Sequence, residues 1–243
     1  MRCFDLFASP GADDAYRRFG WDGVCIVGEY GGGFRRFAED ALKGGERHLI
    51  GALLASDVDK NAKKALDAAD LVLVDGRMED ACREASESWD VDLIVNPELN
   101  AERDHVKQWA GGLDHIMCAF MAERNIGYLV NFGNILHSSG GARTRLFGRV
   151  MQNIRLAGKY DVRVVFTCGA RCAADIRNPH ELMNFGRLLG LPESRARDAV
   201  CRNPEHFIGK ARDRASPDVI LRGLTVKSWG RQERRPKRRC GWY

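Results

Sequence analysis

The chain has 243 residues, of which 44% are hydrophobic and 29% charged, a balance that supports a sizeable buried core and excludes wholesale disorder. Its formal charge of +5 is concentrated: Val219 to Tyr243 carries eight Lys or Arg against one acid, Glu233, a local +7 that leaves −2 for residues 1–218. Charge gathered in a terminal segment suits a polyanionic partner better than it suits a uniformly basic fold.

Short runs rich in Val, Ile and Leu alternate with amphipathic stretches of helix length, the pattern of a parallel α/β fold. Strands are predicted at Cys3 to Phe7, Val24 to Val27, Leu49 to Leu54, Leu71 to Val74, Leu93 to Val95, Ile126 to Asn131 and Val162 to Thr167. Helices are predicted to begin near Asp13, Arg35, Lys60, Glu79, Asp114 and Ala142. After the last strand the composition turns helical, over Pro179 to Leu189, Glu193 to Arg202 and Pro204 to Arg212. The expected fold is α/β, a single TIM-like (β/α) barrel of about seven or eight strands over residues 1–215, with an open doubly wound sheet as the alternative. The C-terminal helices are expected to close the barrel where an eighth strand would stand. Residues 216–243 form a basic tail with little to bury, expected to be flexible.

Several strands end in a polar or small residue followed by turn chemistry: Gly28-Glu29, Asp75-Gly76, Asn96-Pro97, Asn131 and Cys168-Gly169. Helical crossovers gather all these ends on one face of a parallel sheet, the face that carries function in such folds. The eight cysteines are scattered without a Cys-x-x-Cys pair and read as reduced core or loop thiols of an intracellular protein. The spacing of Cys168 and Cys172 supplies at most two metal ligands. No run approaches the roughly 20 apolar residues of a membrane span, so a soluble chain without a membrane partner is expected.

The loop His137-Ser138-Ser139-Gly140-Gly141 leads straight into a helix, where N–H groups and hydroxyls converge on an anion or simply cap the helix. On a wheel of about 100° per residue with Arg145 at zero, Arg149 falls near +40°, Lys159 near −40° and Arg155 near −80°. Leu146, Phe147, Val150, Met151, Ile154 and Ala157 fall between about 100° and 240°, so one face buries and the opposite face carries four cations and no acid. Arg171 and Arg177 flank the turn after the next strand, followed by Asn178-Pro179-His180, and guanidinium groups grip phosphate oxygens through bidentate forks. The arm Arg234-Arg235-Pro236-Lys237-Arg238-Arg239, ending in Trp242-Tyr243, offers sequence-independent attraction to nucleic acid.

A catalytic reading requires metal-holding His and carboxylates at strand ends. The first strand has no His-x-His pair, and the six histidines are dispersed. Asp5, Glu29, Asp75 and His137 could meet on one face, although no spacing demands it.

One ordered set of motifs carries a family resemblance. Asp75-Gly76-Arg77, Val91 to Pro97, Gly112-Leu113-Asp114-His115, Asn131-Phe132, Ser138-Ser139-Gly140 to Arg143, Arg145-Leu146, Arg149, Lys159-Tyr160, Gly169-Ala170, Arg177-Asn178-Pro179 and Leu182 together resemble archaeal ribonuclease P protein component 3, the p30-subunit type. The resemblance covers about residues 70 to 205. It implies a barrel related to the PHP phosphoesterases without their metal ligands, in a cytoplasmic ribonucleoprotein that removes 5′ leaders from precursor tRNA. The RNA subunit, with Mg²⁺, would perform the chemistry, and this chain would hold no cofactor. Its partners would be the RNA, protein component 2 and the other protein components, with precursor tRNA touched indirectly. The expected RNA contacts are Ser138, Ser139, Arg143, Arg145, Arg149, Arg155, Lys159, Arg171, Arg177, His180, Arg234, Arg235, Lys237, Arg238 and Arg239. A stand-alone metal-dependent phosphoesterase and a scaffold that touches only proteins are the alternatives.

Overall fold

The strands β1 (Phe4–Ala8), β2 (Gly23–Glu29), β3 (His48–Leu54), β4 (Leu71–Asp75), β5 (Leu93–Val95), β6 (Gly127–Asn131) and β7 (Val164–Thr167) pair in parallel, each with the next in chain order. These relations come from a computed structural model that describes residues 2–10, 13–42, 48–101, 103–104, 106, 108–221, 223–231, 233–234 and 239–241. The crossovers are α1 (Asp13–Arg18), α2 (Phe34–Leu42), α3 (Val58–Ala68), α4 (Glu79–Glu87), α5 (His115–Arg124), a short α6 (Phe132–Leu136) and the long α7 (Gly140–Tyr160). After β7 come α8 (Pro179–Leu188), α9 (Glu193–Val200) and α10 (Arg202–Ala215), then a small antiparallel hairpin of β8 (Val219–Leu221) and β9 (Leu224–Thr225). All seven predicted strands are present. The sequence reading missed α6, whose single turn is too short for periodicity to register, and the β8–β9 hairpin.

Side-chain alternation divides the core into two layers. Leu71 and Leu73 of β4, Leu93 and Val95 of β5, and Leu129 of β6 point into the barrel, where they meet Leu6, Cys25 and Val165. Val72 and Val74, Tyr128 and Val130 point outward and pack under the helices. Burying each Leu of this kind contributes about 1.5–3 kcal/mol.

The barrel is closed by side chains where β1 meets β7. The buried Asp5 carboxylate accepts the Thr167 hydroxyl and the N–H of Cys168 (2.7 Å) and Phe7 (3.0 Å). Burial pushes its pKa up despite these bonds, which pull the other way. Among the described residues no helix stands in the sheet as an eighth strand would. Instead α10 runs beneath the N-terminal ends of the strands and sends Phe207, Ile208 and Ala211 into the barrel interior. Gly127 makes room for this plug, since a Cβ there would lie 2.6 Å from Phe207 Cζ. The same helix carries Lys210 and Arg214, both buried, which pair with buried Asp92 at 2.9 and 2.6 Å. Asp92 also accepts the Val72 N–H at 3.0 Å, so its charge ties the β4 and β5 entrances to α10.

One sequence expectation is corrected here. Cys3 and Cys201, 198 positions apart, form a disulfide that fastens the start of β1 to the α9–α10 junction, so these two are not free thiols. Only the closure of the barrel brings them together, which spacing along the chain does not reveal. Part of the basic tail also lies against the barrel. Arg239 donates to the Ala69 carbonyl (2.7 Å) and stands 3.8 Å from Asp70, while the Gly241 N–H donates to Asp90 at 2.9 Å. Arg234 pairs with Asp218 at 3.6 Å.

Candidate nucleic-acid interface

The strand ends lie on one face, but most of their polar groups are engaged by near neighbours. Asp75 pairs with Arg77 (3.2 Å) and accepts from the Asn96 amide (3.4 Å), whose oxygen accepts from Asn134 (2.7 Å). Asp5 is consumed in barrel closure, Glu29 is exposed at the end of β2, and His137 stands 3.0 Å from Asp175. Asp175 also accepts the Arg171 N–H at 3.0 Å. Burial alone would raise the Asp175 pKa, but the Arg171 N–H and His137 outweigh it and hold the carboxyl below the ordinary range. Asp5, Glu29, Asp75 and His137 therefore do not assemble. Among the described residues no group of three or more His, Cys, Asp or Glu could hold a metal ion.

Beside this network the chain builds a cationic surface along α7. At about 1.5 Å per residue this helix of 21 residues is roughly 30 Å long. Ser139 occupies its N-cap position in extended conformation, but the side chain makes no capping bond and is exposed. The Ser138 hydroxyl instead donates to the Ile135 carbonyl at 2.9 Å. Arg143 reaches back to the carbonyls of Ser138 (2.8 Å) and Leu136 (3.2 Å), so it staples the turn that precedes its own helix.

Arg145 and Arg171 remain exposed, and among the described residues no carboxylate lies within ion-pair distance of either, although Asp104 acts on Arg145 at longer range. With His137 and Ser138 they line one open concavity of about 320 Å³ at the mouth of the barrel. The start of α7 and the turns before it and after β7 thus bring Ser138, Arg145 and Arg171 to one concavity. Farther along α7, exposed Arg155 and Lys159 line a second groove of about 490 Å³ with Trp109. They too form no ion pair with a described residue.

Arg149 does not share that exposure. Its side chain is only 7% exposed and pairs through Nε with Asp104 at 2.7 Å. Its Nη1 donates to the carbonyls of Glu98 (3.0 Å) and Ala101 (2.7 Å). The neighbouring Asn153 is buried as well and donates to the Gly111 carbonyl at 2.6 Å. The segment between β5 and α5 folds over this flank of α7 and turns an outward wheel position into a buried one. A wheel records periodicity, and a loop packed on a helix leaves no trace in it.

Other expected contacts are also committed elsewhere. Arg177 is half-buried, donates to the carbonyls of Ala174 and Ile176 at 2.9 Å each, and lies 5.9 Å over the Phe132 ring. His180 is exposed at the first turn of α8. Arg234 and Arg239 engage carboxylates away from α7; Asp70 lies at the N-terminal end of the barrel, opposite the Arg145 concavity. Arg235, Lys237 and Arg238 lie outside the described residues.

Two groups escaped the sequence reading. Glu98, in a 3₁₀ turn at Pro97–Leu99, is buried against β6 and accepts the Tyr128 hydroxyl at 2.9 Å. Burial pushes its pKa up to about 7, against the opposing pull of that hydrogen bond. The other is Trp109, 41% exposed beside α7. A large aromatic in a polar loop next to Gly111-Gly112 was its one legible signal.

Comparisons with known proteins bear on the family and the fold. The model of the family described as RNase P subunit p30 matches residues 53–216, more than half of the chain. Ribonuclease P protein component 3 of Methanococcus maripaludis is 31% identical over 177 residues, covering 70% of this chain and 73% of the relative. The protein of the same name from Methanosarcina acetivorans is 30% identical over 163 residues, covering 67% and 64%. Among solved structures, a chain of an archaeal ribonuclease P with mature tRNA, determined by cryo-electron microscopy, matches with a TM-score of 0.76 at 20% identity. That match covers 94% of this chain and 100% of the other, which establishes the barrel fold. A family match that runs from β3 through the end of α10, and so includes the whole of α7 and both of its grooves, leaves one assignment: this chain belongs to the RNase P subunit p30 family.

Proposed function

We propose that this chain is a non-catalytic, RNA-binding protein subunit of a ribonuclease P that removes 5′ leaders from precursor tRNA. The observation that carries the reading is the cationic concavity in which Arg145 and Arg171 face the mouth of the barrel with no described acid paired to them. Such a surface neutralises phosphates that must approach one another and so lowers the cost of folding a polyanion. The chemistry falls to the RNA subunit with its Mg²⁺, because Asp5, Asp75 and His137 of this chain are each engaged by a different neighbour, Thr167, Arg77 and Asp175, rather than converged on one point. Protein component 2 and the other protein components are its proposed protein partners, and it touches precursor tRNA indirectly.

The proposed location is the cytoplasm, where precursor tRNA and its RNA partner would be met. Among the described residues no helix is long and apolar enough to cross a membrane. The Cys3–Cys201 disulfide is unusual for that compartment outside heat-adapted organisms, whose intracellular proteins are often rich in disulfides.

The test is reconstitution. Cleavage of precursor tRNA by the RNA subunit and component 2 is expected to rise, or to need less Mg²⁺, when this chain is added. An identical rate and Mg²⁺ requirement with and without it would overturn the assignment. Turnover of a simple phosphodiester by the chain alone, with stoichiometric bound metal, would favour a phosphoesterase instead.

A further inference from the structure

The groove between Trp109 and α7 has a construction that general attraction to phosphate does not require. Trp109 rests on Gly148, whose position along the helix leaves the space the ring occupies; a Cβ there would lie 2.5 Å from Trp109 Cε2. The ring nevertheless stays 41% exposed, so it is supported from below and open to solvent. Around it stand the side chains of Gln108 and Gln152, the apolar Met151 and Leu156, and the exposed cations Arg155 and Lys159. Lys159 lies 5.5 Å over the Tyr160 ring, which holds its ammonium beside the groove.

We propose that this groove seats one unpaired nucleotide of the bound RNA, the base stacking on the indole of Trp109 and its flanking phosphates meeting Arg155 and Lys159. The proposal rests on the RNA-binding reading above and adds a site and a substrate class to it. A helical duplex turns its bases inward and offers an outer surface of phosphate and sugar, for which arginines suffice. A rigid aromatic plane flanked by amides and cations matches a base taken out of the stack, since every base has a π-face and amides pair with its edge. The charge agrees as well: Arg155 and Lys159 form no ion pair with a described residue, so both are left to meet phosphates, and a purely apolar protein segment would cover them without supplying a counter-charge.

The test uses the full chain and two labelled probes, a short single-stranded oligoribonucleotide and a blunt-ended RNA duplex of the same length. Trp109→Ala is expected to weaken the single strand by about tenfold, the size of one base–aromatic stack, and to leave the duplex unchanged. Because no cation is removed, its salt dependence should match that of the parent. Trp109→Phe should retain most of the affinity. Gly148→Ala, which changes no charge and displaces the ring, should reproduce the loss, and matching thermal unfolding of the variants checks the fold. If Trp109→Ala binds both probes as the parent does while Arg155→Ala weakens both, the groove is only electrostatic and the proposal fails, with the RNA reading intact. If Trp109→Ala keeps RNA affinity but loses association with another protein subunit, the groove is a protein contact and the proposal also fails. If the parent binds neither probe at any salt, the RNA-binding reading itself falls.

Discussion

Arg149 of α7 and Asp104 of the segment before α5 form an ion pair with 2.7 Å between Nε and Oδ1, and it fastens that segment to the helix flank. Burial alone would raise the Asp104 pKa, but the Ala110 N–H and Arg149 outweigh it and keep the carboxyl below its ordinary range. Arg145, one turn earlier, faces solvent. Two arginines four residues apart thus serve different ends. Arg149 holds the protein together, and Arg145 is left for a ligand.

Arg149→Ala should therefore destabilise the fold by about 2–3 kcal/mol, since it leaves the carbonyls of Glu98 and Ala101 without their donor and Asp104 with only the Ala110 N–H. Arg145→Ala should change stability by no more than about 0.5 kcal/mol. Urea unfolding of the two variants measures both, and equal effects would contradict the division of roles.

Charge reversal at Arg145 and Arg171 should weaken RNA binding and flatten its dependence on salt. For every phosphate the variant no longer neutralises, the slope of log K against log[salt] should fall by about 1. Titrations of the full chain with RNA at several salt concentrations read this directly. An unchanged slope would remove the concavity from the interface.

Glu98 makes stability fall with rising pH. Its folded pKa is about 7 against an ordinary 4.5, so between these values the folded state holds a proton that the unfolded state has released. Stability is lost progressively from about pH 4.5 to about pH 7 and then levels off, a contribution on the order of 3 kcal/mol. Glu98→Gln keeps a neutral partner for Tyr128 and should flatten that decline, which unfolding curves of parent and variant across the range would show.

Asp92 works in the opposite sense. Burial would raise its pKa, but Arg214 and Lys210 outweigh burial and hold it below the ordinary value of 3.8. Its contribution is present above that value and is lost as pH falls through the lower folded pKa, so it feeds acid unfolding below about pH 3.9. Asp92→Asn leaves two buried cations without a counter-charge and should cost about 3–5 kcal/mol at neutral pH. A variant as stable as the parent in urea at pH 7 would show that the triad does not hold α10 in place.

The sequence by itself determined the seven strands, their order and the helical crossovers, because an apolar run bounded by turn residues is a local signal that burial makes obligatory. It also determined that cations gather around α7, since charge and helical period are both written along the chain. What only the tertiary structure decided is which of those cations are free. Arg149, Arg177 and Arg239 read from sequence like Arg145 and Arg171, yet each donates to carbonyls or a carboxylate of the folded chain. The same holds for the plug of Phe207 and Ile208, the Cys3–Cys201 link and the seat of Trp109 on Gly148. Each joins segments far apart along the chain, and contacts of that kind depend on how loops and helices pack around the barrel rather than on any pattern within one segment.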